Sequence, residues 1–280
     1  MEMIDAKHKF NGRKQILVSI WISASFIIVI LLLSVLLGND RLQTNGTTMN
    51  FSPSFSYLFG TDWLGRDMFT RTIKGLRLSL MVGAFASAIS AVVATVLGVC
   101  AAVFGKAVDT IISWFIDLFI GMPHLVFILL ISFMAGGGMR GVILGVSLTH
   151  WPSLARIIRA EVLQIKNAEY INISRRFGKS SWFIAKQHVI PHILPQVMIG
   201  FLLLFPHVIL HEAGITFLGF GLSPQTPAIG IILSEAMRHT STGMWWLAFF
   251  PGLMLVVVVK SFDNIGEQLR MLMDPSSSNE

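Results

Sequence analysis

Long apolar runs separated by short polar stretches set the character of this chain. The runs cover residues 16–37, 76–104, 110–134, 141–158, 193–215 and 244–262. The hydrocarbon core of a bilayer takes about 20 apolar residues per helix, so the pattern predicts six membrane-spanning helices. The first run is longer than the apolar stretch of a secretory leader and lacks a small-residue cleavage site, which predicts a retained helix. Segment 38–75 is rich in Asn, Thr, Ser and Gly until it tightens into FGTDWLGRDMFTR. At 217–230, FLGFGLSPQTPAIG sets Gly and Pro in an apolar frame, which predicts backbone dipping partway into the protein. The expected organisation is a tail 1–15, a first span 16–37, a loop 38–75, a core 76–266 containing a second loop 159–191, and a tail 267–280.

Composition agrees with an all-α integral membrane protein: 54% of the residues are hydrophobic and only 13% charged, with a mean hydropathy of +0.70. The net charge of +6 is read as topology rather than as a nucleic-acid surface. With both termini inside the cell, 14 of the 21 Lys and Arg residues lie on the cytoplasmic side and 7 outside. The flipped orientation exports the basic loop from Arg156 to Lys186, against the positive-inside rule. A single cysteine, Cys100, excludes an internal disulfide and a cysteine-based metal cluster.

In loop 159–191, Tyr170, Ile173 and Phe177 form one apolar stripe at helical spacing, with Asn172, Arg175, Arg176 and Lys179 on the other faces. Gly178 ends this helix, Ser180 or Ser181 caps a second from Trp182, and Pro191 and Pro195 turn the chain back toward the membrane. Such a hairpin suits either the lipid interface or a groove on a partner, and the residues alone leave both open. Asp62, Arg66 and Asp67, set near Gly60 and Gly65, likewise read as a self-capped turn or a docking surface. His150, His207, His211 and Glu212 lie in or near spans, where ionisable groups are costly and usually face a cavity. Imidazoles there serve as metal ligands or as interhelical hydrogen-bonding groups. His211 and Glu212, adjacent on a helix, point apart and make a poor catalytic pair. Neither inverted repeats nor a phosphate-binding Gly-rich loop ending in Gly-Lys-Ser/Thr is visible, which argues against a secondary transporter and against ATP binding by this chain in that way.

EYINISRRFGKSSWFIAKQHVIPHILP resembles the coupling loop of ABC importer permeases, in which an E-A-A triplet precedes a Gly and an I-x-L-P-like element. Here the triplet is Asn172, Ile173 and Ser174, the Gly is Gly178, and Val189, Ile190 and Pro191 close the motif. The triplet lacks its carboxylate, and Glu169 lies one turn earlier. GTDWLGRDMFTR, LTHWPSLARIIRAEVL, ITFLGFGLSPQTPAIG and LAFFPGLMLVVVVKSFDNIGEQLRMLMDP are similar, in order, to blocks of the dipeptide, oligopeptide and nickel permease family.

This resemblance implies the type I importer fold and the role of the second, C-type permease of a pair. Its implied partners are another permease, two cytoplasmic ATPases carrying ATP and Mg, and an extracytoplasmic binding protein. Glu169, Tyr170, Asn172, Ile173, Ser174, Arg175, Arg176, Phe177, Gly178 and Ser181 are then expected at the ATPase. Gly60, Thr61, Asp62, Gly65, Arg66 and Asp67 are expected to face the binding protein. His150, His207, His211 and Glu212 are expected along the translocation path. His150 before a Trp, and His211 ahead of Ala213, Gly214 and FLGFG, are more similar to the nickel branch. The implied cargo is therefore nickel, cobalt or a metal chelate, with a dipeptide or oligopeptide as the alternative.

Overall fold

Apolar sequence of this length folds in lipid as helices, because only a helix or a closed barrel satisfies every backbone polar group internally. The computed structural model describes residues 2–273 apart from Pro224, with side chains from Arg13 onward except those of Ser181 and Thr240. The last residues of the expected tail 267–280 fall outside this range. The described residues form ten α-helices: α1 Glu2–Leu36, α2 Met68–Val103, α3 Lys106–Gly121, α4 His124–Met134, α5 Gly138–Lys166, α6 Glu169–Arg176, α7 Ser181–Ile184, α8 Ile190–Phe217, α9 Ile229–His239 and α10 Trp246–Met273. Five helical stretches are long and apolar enough to cross a membrane, and α3 with α4 makes a sixth if the bent pair is one span.

The break in that pair follows from its sequence. Pro123 has no N–H to continue the ladder, and it forces Met122 into an extended conformation. The two halves meet at 104°. Prolines inside α5 (Pro152), α8 (Pro195 and Pro206) and α10 (Pro251) are absorbed without ending the helix. At Pro191, expected to turn the chain, a wide π turn over Ala185–Val189 carries α7 directly into α8. A π turn relaxes the i to i−4 pattern that a proline disrupts.

Small residues hold the bundle centre together. On α2, Gly83, Ala86, Ser87, Ser90, Ala91, Ala94 and Gly98 are buried along one face. A side chain on Gly98 meets the Ala155 carbonyl of α5 at 2.7 Å, and one on Gly83 meets Ile209 of α8 at 2.8 Å. Ser90 Oγ donates to the Ser147 carbonyl at 2.7 Å. On α5, Gly141 and Gly145 stand one turn apart, and added Cβ atoms there approach the carbonyls of Ser132 and Ile128 on α4 at 2.5 and 2.8 Å. Without a hydrophobic drive between helices in lipid, such close backbone approach supplies the packing energy. The first helix is tied to the last: Asn264 of α10 donates through Nδ2 to Ser19 Oγ at 2.7 Å and Ser23 Oγ at 2.9 Å. Between the end of α8 at Phe217 and the start of α9 at Ile229, the described residues of the FLGFGLSPQTPAIG segment include the buried Leu222 and Ala228.

Candidate functional site

Three places in this frame carry chemistry. The first is a cavity of about 430 Å³ walled by α3, α4, α5 and α8, with Phe119, Leu154, Leu203 and Leu204 among its apolar lining. His150, His207 and His211 all line it. His207 and His211 are one turn apart on α8, so both face the same side. Glu212 points elsewhere. It is buried, accepts from Thr216 Oγ1 at 3.0 Å, and is absent from the cavity wall.

The cavity holds one residue that the sequence pattern did not single out. His124 begins α4 immediately after Pro123, so the 104° bend turns it inward. Its Nε2 lies 3.3 Å from His150 Nε2. The rings of His124 and His211 are centred 4.9 Å apart, and those of His150 and His211 5.1 Å apart. One nitrogen from each of the three lies within 4.8 Å of the others. A proline followed by a polar ring inside an otherwise apolar run was the available signal.

The second place is the hairpin of α6 and α7, at the opposite end of the bundle from segment 38–67. Ile171 is 1% exposed and belongs to a buried cluster that also holds Ile165, Ile184 and Ile193, anchoring α6 to the bundle. The opposite face carries Tyr170, Ile173 and Phe177, and Phe177 is 80% exposed. Gly178, at φ +73°, closes α6: its N–H donates to the Arg175 carbonyl at 2.9 Å, and that of Lys179 to Ser174 at 3.1 Å. This pair of bonds with a left-handed glycine is a Schellman close. Ser180 Oγ accepts from the Phe183 N–H at 3.2 Å and caps α7; the side chain of Ser181 lies outside the described residues. Ser174 Oγ sits 3.4 Å from His188 Nε2. Glu169 opens α6, where a carboxylate complements the helix dipole, and Arg175 and Arg176 occupy its last turn. Asn172 stands among the exposed residues of α6.

The third place is the turn before α2. Asp62 Oδ1 accepts from the backbone N–H groups of Leu64 and Arg66, both at 2.9 Å. Its Oδ2 accepts from Arg66 Nε at 2.7 Å and from Arg71 Nη1 at 3.1 Å. Arg71 also pairs with Glu235 of α9. Asp67 Oδ2 accepts from the Thr70 N–H at 3.1 Å and caps α2. Gly60 and Gly65 take φ values of +70° and +74°, and a Cβ on Gly65 would fall 1.9 Å from the Asn45 carbonyl. Thr61 and Asp62 are both 0% exposed and Asp67 is also buried. The self-capped turn is therefore the arrangement present. Those three side chains are removed from the surface expected to face a binding protein, because their hydrogen bonds point inward. Gly65 is buried as well, whereas Arg66 stays near the surface, as do the exposed Phe51, Phe55 and Leu58.

Residues 94–270, more than half of the chain, match the family model described as "Binding-protein-dependent transport system inner membrane component". The chain belongs to this permease family. Relatives extend the match toward both ends. It is 33% identical over 229 residues to the "Dipeptide transport system permease protein DppC" of Bacillus subtilis, covering 82% of this chain and 72% of the relative. It is 30% identical over 271 residues to the protein of the same name in Alkalihalophilus pseudofirmus, covering 97% and 89%. A "Putative peptide transport system permease protein" of Brucella suis is 30% identical over 253 residues, covering 89% of this chain and 85% of the relative. The all-helical, multi-pass architecture is that of an ABC importer permease of the inner membrane.

Proposed function

We propose that this permease forms one side of the pore of a peptide importer. The observation that carries the reading is the identity of 30% over 97% of the chain to a relative named as a dipeptide permease. The names of the relatives support peptide cargo over the nickel or cobalt cargo implied by the resemblance to the nickel branch. The 430 Å³ cavity suits weak contacts with a passing solute, selection being left to the binding protein.

In this reading the α6–α7 hairpin faces the cytoplasm and docks on one of two partner ATPases, which hold ATP and Mg. Its exposed Tyr170, Ile173 and Phe177 supply apolar anchors, while Arg175 and Arg176 set register. Both termini lie inside, and the turn before α2 faces the binding protein through Arg66, Phe55 and Leu58 rather than through its buried carboxylates. A second permease completes the pore. Because the π turn joins α7 to α8 without interruption, displacement of the hairpin passes into the helix that carries His207 and His211.

The test is uptake of labelled dipeptide, and separately of nickel and cobalt, into cells with and without this subunit. Loss of dipeptide uptake alone is the expected result. Unchanged dipeptide uptake refutes the cargo. Purification of the tagged chain is expected to bring down a second membrane subunit and ATPases.

A further inference from the structure

Where α1 leaves the bilayer, apolar and charged side chains come together. The span Arg13–Leu36 ends at Leu36 and α2 begins at Met68, so the residues beside Leu36 and Phe69 stand at the level of the lipid headgroups. Leu36, Leu37 and Phe69 line a recess of about 660 Å³ whose walls also include Asp40, Arg41 and Asp67. A second recess, of about 300 Å³, shares those three charged residues and adds Gln43, Asn45 and Tyr57. From one recess to the other the lining passes from apolar through charged to polar.

These charges are not paired within the chain. Asp40 and Arg41 are exposed, and neither side chain has a partner among the described residues. Asp67 is 2% exposed; its Oδ2 caps α2, whereas its Oδ1 is buried without a donor. A buried carboxylate oxygen left in that state is costly, and the recess therefore calls for an N–H that this chain does not supply. The apolar side is equally uncovered, since Leu36 is 77% and Phe55 105% exposed. So open a ring at Phe55 has surface for this recess and for the binding-protein contact proposed above.

We propose that the two recesses bind the headgroup of a phospholipid carrying a primary ammonium, of the phosphatidylethanolamine class. Arg41 takes the phosphate, for which a planar guanidinium offers paired N–H donors. The ammonium donates to Asp40 and to the unpartnered oxygen of Asp67. The acyl chains run down α1 past Leu36. Only 17% of the apolar window of that helix is buried, so lipid reaches the recess along it, and this favours a lipid over a protein as the occupant. Charge then selects among lipids. A choline headgroup has no N–H to give, and an anionic glycerol headgroup brings hydroxyls but no cation to two carboxylates. The inference requires that the chain spans a bilayer, not that its cargo is a peptide.

The experiment is photolabelling of the complex, purified with its partner subunits, in nanodiscs of phosphatidylcholine and phosphatidylglycerol. A trace of phosphatidylethanolamine, phosphatidylcholine or phosphatidylglycerol carries a diazirine near the start of one acyl chain, and mass spectrometry locates the label. The ethanolamine lipid is expected to label residues 35–37 and Phe69 about fivefold more than either of the others, with no such excess along the rest of α1. Asp40→Asn and Arg41→Gln each lower that excess roughly twofold to fivefold, as for ion pairs at a wet surface. Arg140→Gln, at an exposed position outside both recesses, leaves it unchanged. Equal labelling by the three lipids identifies ordinary surrounding lipid and overturns the proposal, as does strongest labelling by the glycerol lipid or an excess that survives both variants. Absence of lipid label, with Arg41 protected from phenylglyoxal by the binding protein, assigns the recesses to a protein and also overturns it. The three-lipid comparison on the wild type needs no variant, so a misfolded substitution cannot shield the proposal. Labelling requires no transport, so its failure leaves the dipeptide uptake result to judge the peptide reading.

Discussion

Replacing Arg71 with methionine tests the account of the turn before α2. The Arg71 side chain is 4% exposed and that of Asp62 0%, with Nη1 to Oδ2 at 3.1 Å. The same guanidinium holds Glu235 of α9. Methionine fills the volume of the stem but leaves Asp62 with Arg66 as its one cationic partner beside its two backbone donors, and Glu235 with only the 3.6 Å approach of Arg66. Removing one partner of a buried pair costs roughly 3–5 kcal/mol. The residual Arg66 contacts place this case near the lower figure, about 3 kcal/mol, or a fall in apparent melting temperature on the order of 10 °C. Glu235→Gln is expected to cost less than half as much, because Arg71 keeps Asp62 and Glu235 is 23% exposed. In the double variant the methionine no longer strands a carboxylate on α9, so the two effects should fall short of additive by at least about 0.5 kcal/mol. The assay is thermal unfolding of the purified complex followed by size exclusion. A melting temperature for Arg71→Met within 2 °C of wild type, or strict additivity, refutes the reasoning.

Three further outcomes follow from the packing. Gly65→Ala combines a left-handed backbone with a Cβ 1.9 Å from the Asn45 carbonyl, so it should cost about 1–3 kcal/mol in the same melt. Phe177→Ala should leave the melt unchanged and sharply reduce ATPase stimulation by the loaded binding protein, whereas Ile171→Ala, at a buried anchor, should lower stability by about 2–5 kcal/mol. Equal melts for these two variants contradict the assignment of faces on α6. Gly141→Ala pushes against the Ser132 carbonyl at 2.5 Å and should cost about 1–3 kcal/mol in the same melt by forcing α4 and α5 apart. An unchanged melt contradicts the close approach of these two helices.

What the sequence made legible is what depends on neighbours in the chain. The apolar runs located the spans, and Asp62 with Arg66 and Asp67 with Thr70 are local enough for their turn to be foreseen. Hydropathy reads apolar surface rather than helix. It therefore missed that α2 begins at Met68 and that α5 runs on to Lys166, since polar Thr70, Arg71 and Glu161 sit comfortably on helical turns. The stripe on α6 was visible in its spacing, while its anchor Ile171 was not, because burial there is decided by residues of several other helices. The run at 110–134 looked continuous although Pro123 divides it, and so His124 passed as one more residue in a span. Glu235 stands 164 positions from Arg71, and no local pattern announces such a pairing.

The bond from Asn264 to Ser19 and Ser23 gives the first helix a late role in biogenesis. It joins residues 245 and 241 positions apart, and synthesis at about 5–20 residues per second puts roughly 10–50 s between the two. Throughout that interval α1 has α2 to pack against but not the amide of α10. A nascent chain stopped short of residue 264 therefore leaves the hydroxyls of Ser19 and Ser23 without this amide.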